Sequence, residues 1–184
     1  MKFKVTPQSI PDVLLIEPTV YADDRGYFKE SYNQQDFEEF LPGVRFVQDN
    51  ESKSIRGVLR GLHFQKAPHA QAKLVRVTQG SIWDVAVDIR PDSPTFKQFC
   101  FAELTADNHL QFFVPRGFAH AFLVTSDTAI VQYKTENSYH PLSDAGIHPH
   151  DLDLNIPWPI PMPEHHLSPK DLNLPLLNDL FPNS

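Results

Sequence analysis

The stretch "LRGLHFQKAPHAQAK", residues 59–73, places two imidazoles, His63 and His69, close along the chain to the ammonium of Lys73, which leads into the strand-like "LVRV". Imidazole can hold a metal or move a proton near neutral pH, and a lysine can stabilise a developing oxyanion. A metal in a small β-barrel is usually held by two histidines one residue apart on a strand face, with an acid nearby. Here a proline-containing segment, "FQKAP", separates His63 from His69. His148-Pro-His150 has the spacing but lies in a turn-rich acidic segment, and His165-His166 lies in a proline-rich one. No metal site is therefore expected; were one present, His63, His69 and His120 would be its ligands.

The alternative is acid/base work in a barrel lumen, where burial and neighbouring charges bring histidine or tyrosine into use. Strict strand parity puts His63 on the face of Leu59 and Gln65, and Arg60 on that of Val58 and Leu62. For His63 and Arg60 to reach one pocket, Gly61 must mark a bulge or bend. Lys73 shares a face with Val75 and Val77, and its plainer reading is a strand-end lysine snorkelling to solvent. His120 alternates with Phe118 and Phe122, which suits a hydrogen-bonded core histidine, and Tyr133 alternates with Val131 and Thr135. Asp84 and Asp88 share one strand face, and their ordinary reading is solvation. Asp171 reads as a helix-cap acid. Arg25, in "DDRGYFKES", together with Arg60 and Lys170, offers charge-assisted hydrogen bonds to phosphate. Taken singly, none of these residues settles a function.

The elements that must position them are short strands. Turn signals recur at Gly57, Gly61, Gly80, Pro91 with Pro94, Pro115 with Gly117, and Ser126-Asp127. Between them lie strand-like runs at 73–79, 81–90, 96–104, 110–114, 118–124 and 129–135. Many short strands without long helical patterns predict an all-β, double-sheet jelly roll with a few short peripheral helices. One helix is predicted within "NQQDFEEFL" (33–41), capped by Asn33 and turning Phe37, Phe40 and Leu41 toward the barrel. A second is predicted in "SPKDLNLPLL", with Ser168 as cap, Pro169 in the first position and Asp171 three residues after the cap.

The 184 residues, 41% hydrophobic and 21% charged, suit one domain (1–184) with a proline-rich C-terminal arm from about 155. A net charge of −7 from scattered acids argues against a nucleic-acid surface. Cys100, the only cysteine, excludes an intrachain disulfide and reads as a small buried residue. The proline-broken amino terminus is not a signal peptide, and no apolar run approaches a membrane span, so a cytoplasmic location without membrane contact is expected.

Read in order, "DDRGYFKESYN", "FVQDNESKS", "GVLRGLHFQ", "AQAKLVRVTQGSIWDVAVDIR", "FVPRGFAHAFLV", "YKTENSYH" and "LSPKD" resemble the dTDP-4-dehydrorhamnose 3,5-epimerase family. The resemblance implies a cupin-type jelly roll, a homodimer, no metal or other cofactor, and a dTDP-4-keto-6-deoxyhexose as substrate. It implies His63 as general base paired with Asp171, Lys73 as the charge on the enolate oxygen, and Tyr133 as the acid on the opposite face. It also implies Arg25, Glu30, Gln48, Asp49, Asn50, Arg60, Lys73, His120, Asp144 and Lys170 as substrate-binding residues, with Tyr139 stacking on the thymine. Arg25 and Glu30 would serve the neighbouring subunit. Phe64, Glu51 and Asp144 depart from the residues usual at those positions; none of the three removes a catalytic group.

Overall fold

The computed structural model describes residues 2–182. Its strands, in chain order, are β1 (Phe3–Pro7), β2 (Leu14–Pro18), β3 (Val20–Asp23), β4 (Gly26–Lys29), β5 (Gln48–Ile55), β6 (Leu59–Gln65) and β7 (Lys73–Gln79). There follow β8 (Ser81–Asp88), β9 (Phe99–Thr105), β10 (Gln111–Val114), β11 (Phe118–Val124), β12 (Thr128–Thr135) and β13 (Asp144–Gly146). Three short helices, α1 (Gln34–Glu38), α2 (Pro169–Leu172) and α3 (Leu177–Leu180), are peripheral.

One sheet has six strands in the order β1-β2-β10-β7-β12-β5, the facing sheet five in the order β13-β6-β11-β8-β9, and the β3-β4 hairpin stands outside both. All pairings between these strands are antiparallel, which gives the all-β, double-sheet jelly roll predicted from the strand pattern. Period-two alternation divides the apolar residues between its layers. Val75, Val77, Phe112 and Val131 of the larger sheet meet Ile82, Ala86, Phe118 and Phe122 of the smaller one in the central core. Burying a ring such as Phe112 is worth about 1.5–3 kcal/mol.

Each sheet is also covered on its outside. Phe37 and Leu41, from α1 and just after it, pack on Phe3, Ile16, Leu74 and Phe113, and the Asn33 side chain caps α1 by accepting from Gln35 N and Asp36 N. The C-terminal segment lays Ile156, Ile160 and Leu177 over Leu62, Val85, Val87 and Ala121 of the smaller sheet. That second cover explains why every residue of β11, "FAHAFLV", is buried, including the parity that would otherwise meet water. Among the described residues no helix is long and apolar enough to cross a membrane.

Three expectations are corrected. Asp84 and Asp88 are fully buried rather than solvated, because β8 is covered on both faces; Asp88 is satisfied by Arg90, Ser93 and Thr95. The strand expected from 96 starts at Phe99, since Ser93 to Gln98 form turns in which Lys97 takes φ 67°. Leu59 does not share the face of His63 and packs instead with Leu62 in the outer cluster.

Candidate active site

The reason for the Leu59 correction is a one-residue slip in the β6-β11 ladder. His63 pairs with His120, whereas Arg60 pairs with Phe122, so the register shifts between them. His120 and Phe122 are two apart on one face, so the slip turns both His63 and Arg60 inward. Gly61 makes it possible: its φ is +123°, and a Cβ there would lie 2.5 Å from Ala121 Cβ and 2.5 Å from the His120 carbonyl oxygen.

A cavity of about 390 Å³ opens between the sheets, lined from the larger sheet by Gln48, Asn50, Lys73, Tyr133 and Thr135. Cross-strand register explains that wall. Thr135 lies opposite both Gln48 and Lys73, and Tyr133 opposite both Asn50 and Val75, so these side chains form successive rows on the inner face. His63 and Gln65 of β6, Asp144 of β13 and Lys170 of α2 line the other side.

His63 Nε2 lies 2.5 Å from Asp171 Oδ1, across 108 residues of sequence. Asp171 is held there by the start of α2: Pro169 occupies the first turn, and Ser168 Oγ accepts the Asp171 N–H at 3.1 Å. Burial pushes the Asp171 carboxyl up, but the His63 hydrogen bond and charge outweigh it and hold the group below its ordinary value. A carboxylate accepts, so Nε2 carries a proton; in the neutral form of the ring that leaves the lone pair on Nδ1, the atom that can act as a base.

Lys73 Nζ donates to the His63 carbonyl oxygen at 3.3 Å. Its accessible surface belongs to the cavity, while protein around it desolvates the ammonium and brings its pKa down to about 8, against the attraction of Asp84 and Asp144. Burial pushes the Tyr133 phenol up, partly offset by the charge of Arg60, so the hydroxyl keeps its proton near neutral pH. At the mouth, Asp144 Oδ2 accepts from Tyr139 Oη at 3.2 Å and from Lys170 Nζ. Tyr139 is exposed, its ring free to receive a planar group, and its backbone N–H donates to Gln48 Oε1 at 3.1 Å.

The cavity thus brings together His63, Lys73, Tyr133, Gln48, Asn50, Tyr139, Asp144 and Lys170, with Asp171 behind His63. Others lie apart from it. Arg60 donates to Ser54 Oγ at 3.1 Å and lines a separate cavity of about 410 Å³. His120 is buried behind His63 with its Nε2 2.6 Å from Asp84 Oδ1. Asp49 has outward parity and pairs with Lys134 at 2.8 Å. Arg25 pairs with Asp23 beside the β3-β4 turn, and Glu30 pairs with Lys2. His69 stacks on His140 with ring centroids 3.8 Å apart and bonds Ser143 through Nδ1. Among the described residues no three His, Cys, Asp or Glu side chains gather as a ligand set. Gln71 and Thr135 also line the wall without having been singled out; parity with Lys73 and Tyr133 was the available signal.

Residues 7–179 match the family described as dTDP-4-dehydrorhamnose 3,5-epimerase. The enzyme of that name from Escherichia coli K12 is 54% identical over 173 residues, covering 94% of this chain and 93% of its own. The crystal structure of dTDP-4-dehydrorhamnose 3,5-epimerase from Elizabethkingia anophelis superposes with a TM-score of 0.92 at 51% identity, covering 97% of this chain and 98% of that one. A Legionella pneumophila dTDP-6-deoxy-D-glucose-3,5-epimerase in complex with dTDP-4-keto-L-rhamnose gives 0.92 at 46% identity, covering 96% and 93%. With a shared fold, half of the residues identical and almost full coverage on both sides, the chain belongs to the dTDP-4-dehydrorhamnose 3,5-epimerase family.

Proposed function

We propose that this protein inverts carbons 3 and 5 of dTDP-4-dehydro-6-deoxy-D-glucose to give dTDP-4-dehydro-L-rhamnose, a step in making dTDP-L-rhamnose. The observation that carries this reading is the placement of two proton-handling groups on facing sheets: His63 with Asp171 on one side, Tyr133 on the other, and Lys73 beside them. Epimerisation requires a proton to leave one face of a carbon and another to arrive on the opposite face. The 4-keto group makes both neighbouring carbons acidic.

In this reading His63 Nδ1 takes the proton from carbon, and the C–H electron pair moves into the ketone to give an enolate. The developing imidazolium is stabilised by Asp171 and the enolate oxygen by the Lys73 ammonium, both in place before reaction. Tyr133 returns a proton to the other face as the enolate collapses. Gln48, Asn50, Asp144 and Lys170 would hold the nucleotide, with thymine on the Tyr139 ring and the diphosphate toward Arg60.

We read the whole chain as one jelly-roll domain with a proline-rich arm, working in the cytoplasm as a homodimer. The exposed Tyr21, Tyr27 and Phe28 on the β3-β4 hairpin support an interface with a second copy, into whose cavity Arg25 and Glu30 would reach. Sedimentation at micromolar concentration is expected to show a dimer.

Turnover in deuterated water tests the chemistry: the product should carry deuterium at two carbons. Label at one carbon would reduce the enzyme to a mono-epimerase, and bound dTDP with no label at all would make it a binding protein. A stoichiometric transition metal in protein purified without chelator would favour a metal-dependent cupin instead.

A further inference from the structure

The His120–Asp84 pair lies outside the cavity wall and is used by no step above. Both side chains are sealed: the relative exposure is 7% for the ring and 0% for the carboxylate. Asp84 Oδ1 accepts from His120 Nε2 at 2.6 Å, whereas Asp84 Oδ2 is buried with no hydrogen-bond partner. A buried carboxylate with an unsatisfied oxygen is costly, and an apolar residue on a strand this well covered would avoid the cost. Function is the usual reason for keeping such a group.

We propose, on the epimerase reading given above, that Asp84 is a positioning residue: it fixes the His120 ring behind His63 and supplies the negative charge that holds Lys73 as an ammonium ion. The geometry is that of consecutive cross-strand neighbours. His63 faces His120 across β6-β11, His120 faces Ala86 on β8, and Asp84 follows two residues along on the same face. The carboxylate fixes the His120 tautomer, with Nε2 protonated and Nδ1 left as an acceptor, and burial, which lowers the pKa of His120, keeps the ring neutral.

The groups facing Lys73 are His63 from β6, Asp84 from β8, His120 from β11, Tyr133 from β12, Asp144 from β13 and Lys170 from α2. Desolvation pulls the ammonium down to about 8, while Asp84 comes before Asp144 among the charges that oppose it. Burial pushes Asp84 itself up, and His120 and Lys73 oppose that. Asp84 and Lys73 therefore help to keep each other charged, and the neutral His120 ring donates to the carboxylate.

The test is the pH profile of deuterium uptake by the dimeric enzyme. In the wild type kcat should fall as pH rises through about 8, as Lys73 loses its proton. Asp84→Asn is isosteric; it should shift that alkaline limb to lower pH and cut kcat at neutral pH about 100-fold, with KM little changed. A merely structural role would lower Tm and the amount of folded enzyme without moving the limb. His120→Gln keeps the carboxylate and, through its Nε2, a donor for it, and should lower kcat while leaving the limb in place; if Asp84→Asn does not fold, Asp84→Ser carries the test, with the same shift of the limb expected. A limb that stays at the wild-type position in the folded Asp84 variant, or that shifts in His120→Gln, overturns the proposal. Absence of exchange in the wild type would instead overturn the epimerase reading on which it rests.

Discussion

Two histidine–carboxylate pairs stand side by side on β6 and β11, both joined through Nε2 and Oδ1, at 2.5 Å for His63–Asp171 and 2.6 Å for His120–Asp84. Their surroundings differ. His63 is 31% exposed and lines the cavity, and its carboxylate comes from a helix cap at the far end of the chain. The carboxylate of the second pair comes from the adjacent strand inside a closed core. The acids respond in opposite senses, Asp171 below its ordinary value and Asp84 above. One constellation can therefore do two jobs: where substrate can reach it the imidazole can exchange a proton, and where nothing can reach it the pair is a fixed dipole and charge.

The sharpest way to break this comparison is Asp171→Asn. Loss of the carboxylate that orients His63 should cut deuterium uptake about 10³-fold, some 4 kcal/mol in barrier, with nucleotide affinity kept. Equal losses in Asp171→Asn and Asp84→Asn, with identical pH profiles, would erase the distinction between the pairs.

Gly61→Ala strikes what both pairs share, the bulge that sets His63 against His120. Its Cβ would overlap Ala121 and the His120 carbonyl at a positive φ, so a stability loss of about 3 kcal/mol is expected from urea midpoints. A loss under about 1 kcal/mol would mean that the ladder closes without the bulge.

The smallest effect is expected from Ser168→Ala. Removing the cap should cost about 1 kcal/mol and loosen only the first turn of α2, so exchange falls a few-fold. The alkaline limb assigned to Lys73 should move far less than in Asp84→Asn, because Asp84, first among the charges that hold the ammonium, lies on β8, whereas α2 contributes only the opposing charge of Lys170. A limb that moved as far with Ser168 as with Asp84 would show the two pairs acting as one unit.

The fold was legible wherever alternation was local and apolar. The expected runs 73–79 and 118–124 coincide with β7 (Lys73–Gln79) and β11 (Phe118–Val124), and the Asn33 and Ser168 caps lie where the side-chain chemistry put them. β5, "QDNESKSI", gave no such signal, because its inward residues line a polar lumen instead of an apolar core. β1 and β2 were hidden by Pro7 and Pro18, which sit harmlessly at strand ends. Asp84 read as a solvated acid because alternation reports which residues share a face, not what covers that face.

Sequence by itself determined the strand periods, the helix caps, the need for a bend at Gly61 and, through the order of its motifs, the family. Only the tertiary structure decided which carboxylate meets which histidine, that Asp49 turns outward to Lys134, and that His69 stacks on His140 instead of partnering His63. The physical reason is range. Propensity, capping and parity act over a few residues, whereas a cavity wall is assembled by hydrogen-bonded register between strands distant in sequence, and desolvation there depends on everything packed around it.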